Sequence, residues 1–430
     1  MVRMLQSNQG SGRRTFLKSA ATTGVVAGLA GCLGGDQGDS GNEVEFWTLF
    51  AGGDGDAMEA IVEEFNDEHD DIQVSRERQP FDEYYDSLFT SMTGGTPPDL
   101  AVFHTNELRR FVDTLTPLDD QVESGTENAY VESIWNETEF GGSHVALPLD
   151  THPNALYYNK DIFEEAGLDP ESPPTNFEEL QHAADEISAN TDKQAFNPEP
   201  YGRFYTRQFV AWLSSVGSEF LNEDATGAAF DNDEALGLIE FYSDITDEYG
   251  WDSADASDDR GNRAFRAGDL AMTIDGTWFY GVLREADYDW GIAKPFVAPG
   301  ATEQYTWANS HALAVPKNDD RSDEQTEAAV YAAEWLTQNS TEWGTTAGHM
   351  PASSDVLNSG TLQDADVWDA TLNTFFEMAD NDQLVYLPST DNNEDYVRPI
   401  NQTMAQVYSQ QLDPEDALDE MVSAINDNLS

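Results

Sequence analysis

Cysteine is almost absent from this 430-residue chain. Cys32 stands alone, so no disulfide can form within one copy and the fold must rest on its core. Lysine is scarce as well. Five lysines and 15 arginines face 82 acids, a formal charge of −62 at pH 7. Such a chain repels a phosphate backbone, which excludes nucleic acid as a partner. Long apolar runs are missing: the run at 20–30 has 11 residues, where a bilayer core needs about 20. Enzyme signatures are missing too. No G-x-x-x-x-G-K-[ST] loop is present, so the chain is not itself an ATPase. Neither H-E-x-x-H nor a His/Cys pair suggests zinc, and G-x-S-x-G is absent. The seven histidines are scattered and read as surface or hydrogen-bonding residues. Asp231-Asn232-Asp233-Glu234 lacks the glycine and the twelfth-position glutamate of a calcium loop, and reads as a helix start. No catalytic residue, metal or cofactor is expected. With 82 acids a chance carboxylate pair is also expected, so glycoside hydrolysis stays open as an alternative.

What is present begins with an address. Arg13-Arg14-Thr15-Phe16-Leu17-Lys18 followed by the run at 20–30 reads as a twin-arginine export signal, 1–31. Leu29-Ala30-Gly31-Cys32 reads as a lipobox, with Cys32 the lipid-bearing anchor to the membrane. The expected location is the extracellular face of the cell membrane. Residues 32–42, rich in Gly, Asp and Ser, form a flexible tether. The excess of acids resembles that of proteins from extreme halophiles, where molar salt screens self-repulsion. A hydrophobic share of 39% with 11% aromatics argues against a disordered chain.

Periodicity predicts strands at 44–50, 72–74 and 99–104, with helices at 56–67 and 81–92, the second stopped by Gly94-Gly95. That β-α-β-α-β order predicts a parallel, doubly wound sheet. Further strands are predicted at 145–149, 155–158, 270–274 and 312–315. Helices are predicted from a Thr175/Glu178 capping box to 189, and at 204–216, 234–249, 262–267 and 323–338. Leu418, Met421, Val422, Ile425 and Leu429 share one face of a last helix.

Several segments together resemble one family. They are 44–66, then Gly95-Thr96-Pro97-Pro98-Asp99-Leu100, then Ala146-Leu147-Pro148-Leu149-Asp150 through Phe163 and 173–180. Next come Ala264-Phe265-Arg266-Ala267-Gly268 with 270–278, then 310–317 with 335–337, then Gly348-His349-Met350-Pro351-Ala352. In this order they resemble the family 1 extracellular solute-binding proteins of carbohydrate ABC importers. The resemblance implies an α/β fold of two hinge-linked lobes, the type II periplasmic-binding-protein fold, with the ligand between them. It places lobe one at 43–148 plus 296–347 and lobe two at 149–295 plus 348–430. It implies a monomer that passes a carbohydrate to permease subunits served by a separate ATPase.

A sugar site wants flat rings for C–H faces and polar side chains for hydroxyls. Trp278, behind the strand 270–274 and a Gly276 turn, is the candidate stacking ring, and Asp275 a candidate acceptor. Strand ends at the expected cleft edge supply Phe50, His104, Thr105 and Asn106. The crossovers supply Asp150, His152, Trp307 and Asn309. Tyr201, Tyr205, Tyr396 and Arg398 are weaker candidates. Ala51-Gly52-Gly53 and Asn106 depart from the maltose-binding pattern, so that specificity does not carry over. A polyol, glycerol phosphate or a polyamine remains an alternative ligand. Arg76, Arg78, Arg109 and Arg110 read as a solvated face.

Overall fold

The computed structural model describes residues 42–122, 124–198, 203–257, 260–284 and 286–429. The export signal, Cys32, nearly all of the tether and Tyr201 lie outside the described residues.

The chain opens with β1 (Asn42–Thr48), α1 (Gly52–Glu68), β2 (Ile72–Arg78), α2 (Tyr84–Gly94) and β3 (Leu100–His104). Along β1 the side chains of Val44 and Phe46 are buried and Glu45 is exposed, the period of two that a half-covered strand requires. α1 lays Met58, Ile61, Val62 and Phe65 on the sheet. It starts at Gly52, a turn before the apolar periodicity does, because the glycine pair hides the start from propensity. α2 is closed by Gly95 at φ 77°, a left-handed cap.

Short strands then lead across the molecule: β4 (Leu147–Pro148), β5 (Asp150–Thr151) and β6 (Asn154–Asn159). There follow α3 (Phe177–Asn190), β7 (Gln194–Asn197), α4 (Phe204–Ser215), α5 (Asp233–Thr246), β8 (Leu270–Gly276), β9 (Trp290–Ala293), β10 (Thr306–Ala308) and β11 (His311–Ala314). The chain ends with α6 (Asp323–Gln338), β12 (Met350–Pro351), β13 (Leu384–Tyr386), α7 (Glu394–Tyr408) and α8 (Pro414–Leu429). α3 is capped by Asn176, whose side chain accepts from Glu179 N. Glu179, not Glu178, reaches back to Thr175, so the predicted capping box is displaced by one residue.

Two main sheets result. The first runs β2-β1-β3-β11-β4, parallel through β2, β1 and β3 and antiparallel where β11 enters beside β3. The second runs β9-β6-β8-β7. Between them β5 pairs with β12, Met350 against Thr151 and Pro351 against Asp150.

The second crossover had been expected near 296. Instead Val297, Ala298 and Trp307 belong to the second core, and β10 pairs with β13 beside α4. The chain enters the first sheet only at His311, because Thr306 Oγ1 donates to Asn154 O and ties β10 to β6.

Candidate ligand-binding cleft

A cleft of about 550 Å³ opens between the end of β3 with the start of α2 on one side and the starts of α4 and α7 on the other. Its first wall carries Phe81, Tyr85, His104, Asn106, Glu107 and Arg110. Its second carries Arg203, Thr206, Arg207, Asn393, Glu394 and Arg398, with Trp307 and Asn309 at its base. Phe81 is 59% exposed, an open ring at the edge of the cleft.

The base is fixed by amides. Asn309 Nδ2 donates to Asn106 Oδ1 (2.9 Å), while Asn309 Oδ1 accepts from Thr105 Oγ1 and Ser310 N (3.0 Å each). Two bonds span the opening: Asn393 Nδ2 to Asn106 O (2.5 Å) and Arg109 Nε to Asp391 Oδ1 (3.2 Å).

Charge inside the cleft is balanced. Arg110, Arg203, Arg207 and Arg398 face Asp82, Asp86, Glu107 and Glu394. Arg203 pairs with Glu394 at 2.7 Å. Arg207 lies over the rings of Trp307 (4.1 Å), Phe204 (4.8 Å) and Trp278 (5.6 Å), a cation–π platform. Burial raises the pKa of Glu107 above the usual carboxylate value.

Beneath the cleft lies a buried polar cluster centred on Asp150. Its carboxylate accepts His311 N (2.8 Å), His311 Nδ1 (2.7 Å), His152 Nδ1 (3.1 Å) and Trp343 Nε1 (2.6 Å). Burial alone would raise the Asp150 pKa, but His311 and His152 hold it well below the ordinary range. Burial and His311 together push His152 down to about 3. His104, whose Nδ1 meets the Tyr85 hydroxyl at 2.7 Å, is lowered by burial and by the same two rings. His349 goes the other way. Burial opposes its charge, but Asp54, 3.4 Å away, and Asp150 outweigh burial and raise its pKa. One ring nitrogen each of His104, His152 and His311 lies within 4.8 Å of the others.

Of the residues proposed from sequence, His104, Asn106, Trp307, Asn309 and Arg398 line the cleft. The others do not. Phe50 is buried against Trp343 (4.6 Å) and His311 (4.9 Å), because β1 pairing ends at Thr48 and the chain turns inward. Thr105, Asp150 and His152 support the base from below. Asp275 is fully buried, accepting from Gly276 N and Asn262 Nδ2. Tyr205 packs in the second core between Tyr242 and Tyr408, and Tyr396 is held there by its bond to Pro388 O. Trp278 is half-buried, its indole folded over Gly276, where an added Cβ would meet the ring at 2.2 Å.

Sequence reasoning missed Phe81, Tyr85, Glu107, Arg110, Arg203, Arg207, Asn393 and Glu394. They sit at helix starts and in the turn behind β3, while the search favoured strand ends. Arg203 and Arg207, four apart beside Phe204, carried the one readable signal.

The sequence profile of the bacterial extracellular solute-binding proteins matches residues 52–343. A binding protein of Brucella abortus (strain 2308) is 27% identical over 52% of this chain and 55% of that protein. An arabinooligosaccharide-binding protein of Halalkalibacterium halodurans is 30% identical over 49% of this chain and 47% of its own length. The chain thus spans about half the length of these curated relatives. The crystal structure of the cyclic α-maltosyl-1,6-maltose binding protein from Arthrobacter globiformis shares the fold, with a TM-score of 0.78 at 24% identity, over 91% of this chain and 99% of that one. The match over 292 positions, carried on a fold of this kind, places the chain in the bacterial extracellular solute-binding protein family.

Proposed function

We propose that this chain is a capture subunit that binds a neutral, hydroxyl-rich solute, a sugar, in the cleft and delivers it to an ABC importer. The observation that carries this reading is the balance of four arginines and four acids in the cleft of a chain with a net charge of −62. A cationic solute would be drawn to a cleft as acidic as the rest, and an anionic one to arginines left unanswered by carboxylates. The amides of Asn106, Asn309 and Asn393 suit hydroxyls, and the exposed ring of Phe81 suits a C–H face.

The chain works by binding and release, without catalysis, and closure of the lobes signals the loaded state to two permeases and a separate ATPase. We assign 43–148 with 309–347 to lobe one and the remainder of the folded chain to lobe two. Cys32 carries the lipid anchor after twin-arginine export, and the protein acts as a monomer at the outer face of the cell membrane. Among the described residues no helix is long and apolar enough to cross a membrane.

An sn-glycerol-3-phosphate-binding periplasmic protein of Escherichia coli, 24% identical over 72% of this chain, supplies the rival ligand. Calorimetry in molar salt with a panel of mono- and oligosaccharides, sn-glycerol 3-phosphate and spermidine tests the reading. Micromolar binding of a sugar that is recovered uncleaved supports it. Binding of the phosphate ester or the polyamine alone, or cleavage of an oligosaccharide, overturns it.

A further inference from the structure

Four of the seven histidines, 104, 152, 311 and 349, gather around one buried carboxylate although they are far apart in the sequence. Hydrogen bonding alone explains only half of each ring. An ionised Asp150 accepts and never donates, so it fixes the proton of His152 and of His311 on Nδ1. Their Nε2 atoms make no hydrogen bond among the described residues. His104 is held at Nδ1 by the Tyr85 hydroxyl, which also accepts from His104 N at 2.9 Å, and its Nε2 makes no hydrogen bond among the described residues. Imidazoles oriented through one nitrogen by a carboxylate or hydroxyl, with the other nitrogen open, are how proteins prepare metal ligands. His349 does not join them: its Nδ1 bonds Thr277 Oγ1 (2.8 Å) and its Nε2 faces Asp54.

We propose that His104, His152 and His311, which bring one ring nitrogen each within 4.8 Å of the others, bind one divalent transition-metal ion. Three imidazoles select zinc, cobalt, nickel or copper over magnesium and calcium, which prefer oxygen. Three protein ligands leave a fourth position open. His104 lines the cleft, so that position faces the space in which a solute would sit.

The test uses Co²⁺ as the probe, added to chelator-treated full-length protein in molar NaCl with excess Mg²⁺ to occupy surface carboxylates. The expected result is one equivalent bound with the intense visible absorption of a four- or five-coordinate Co²⁺–imidazole site, displaced by Zn²⁺. His104→Gln, at a part-exposed position, and His311→Gln should each weaken Co²⁺ binding at least tenfold. His182→Gln, on the exposed face of α3, should leave it unchanged. Circular dichroism of each variant separates ligand loss from unfolding. A weak, pale octahedral spectrum, or binding equal in folded His104→Gln and wild type, overturns the proposal. Sugar calorimetry on the chelator-treated protein keeps this result distinct from the proposed function: sugar binding with no stoichiometric Co²⁺ refutes the metal site alone.

Discussion

The cleft and the outer surface treat the same excess of acids in opposite ways. On the outer surface most carboxylates have no cation near them, since only 20 basic residues answer 82 acids. Inside the cleft four arginines stand among four acids, with Arg203 paired to Glu394 and Arg110 to Asp86, and Arg207 lies over three aromatic rings. The difference teaches that the charge of this chain is a property of its solvent boundary, while the cleft is kept electrically quiet. Acids are cheap where salt screens them and disruptive where water is to be expelled.

The largest effect should come from exposing the outer surface to weak screening. At 1 M salt the Debye length is about 3 Å, and at 0.1 M it is about 10 Å. Diluting ligand-free protein from molar NaCl to about 0.1 M should therefore unfold it, followed as loss of the far-ultraviolet dichroism. A fold that survives the dilution would show that the acids are better paired than the comparison holds.

Next in size is a buried acid, Asp275, whose burial outweighs its hydrogen bonds and the nearby Arg207. Burial raises the pKa of Asp275 to about 7. A raised folded-state pKa means that the folded protein holds the proton more tightly than the unfolded one. The stability this gives is present below about pH 4 and is lost as pH rises through about 7. Thermal unfolding in molar salt should thus show wild type losing on the order of a few kcal/mol between pH 4 and 8. Asp275→Asn should lose distinctly less, and identical pH profiles would remove Asp275 from the account.

Within the cleft, Phe81→Ala should weaken sugar binding about tenfold, or about 1.4 kcal/mol. The melting temperature should barely move, because the ring is 59% exposed. Trp278→Ala should also weaken binding, but through the displaced Arg207 and with a loss of stability that Phe81→Ala lacks. Equal melting temperatures for the two variants would count against this division of labour.

The smallest effect is the most specific to the comparison. Because the cleft is balanced, the sugar Kd should change less than threefold between about 1 M and 3 M NaCl. A steep salt dependence measured by calorimetry would mean that the cleft shares the field of the surface.

Much of the framework was legible because it is local. The alternation in β1, the apolar face of α1 and the glycine stop after α2 each follow from neighbours in sequence. The cleft was only partly legible. Asn106 and Asn309 follow strand ends, where open α/β sheets present ligands, and the structure joins them at 2.9 Å. Phe50 follows a strand end too, yet it turns under Trp343, and nothing nearby in sequence marks that turn. The histidine cluster was illegible for a different reason. His104, His152, His311 and His349 come from four separate stretches of the chain, and only the pairing of β3 with β11 and of β5 with β12 brings them together.

Gly276 shows how far a single hydrogen atom can reach in such a framework. It supports the indole of Trp278, and any larger residue would drive its Cβ into that ring at 2.2 Å. The indole in turn lies against the guanidinium of Arg207, which also lies over Trp307 at 4.1 Å. A methyl group at 276 would therefore be felt by the solute without touching it.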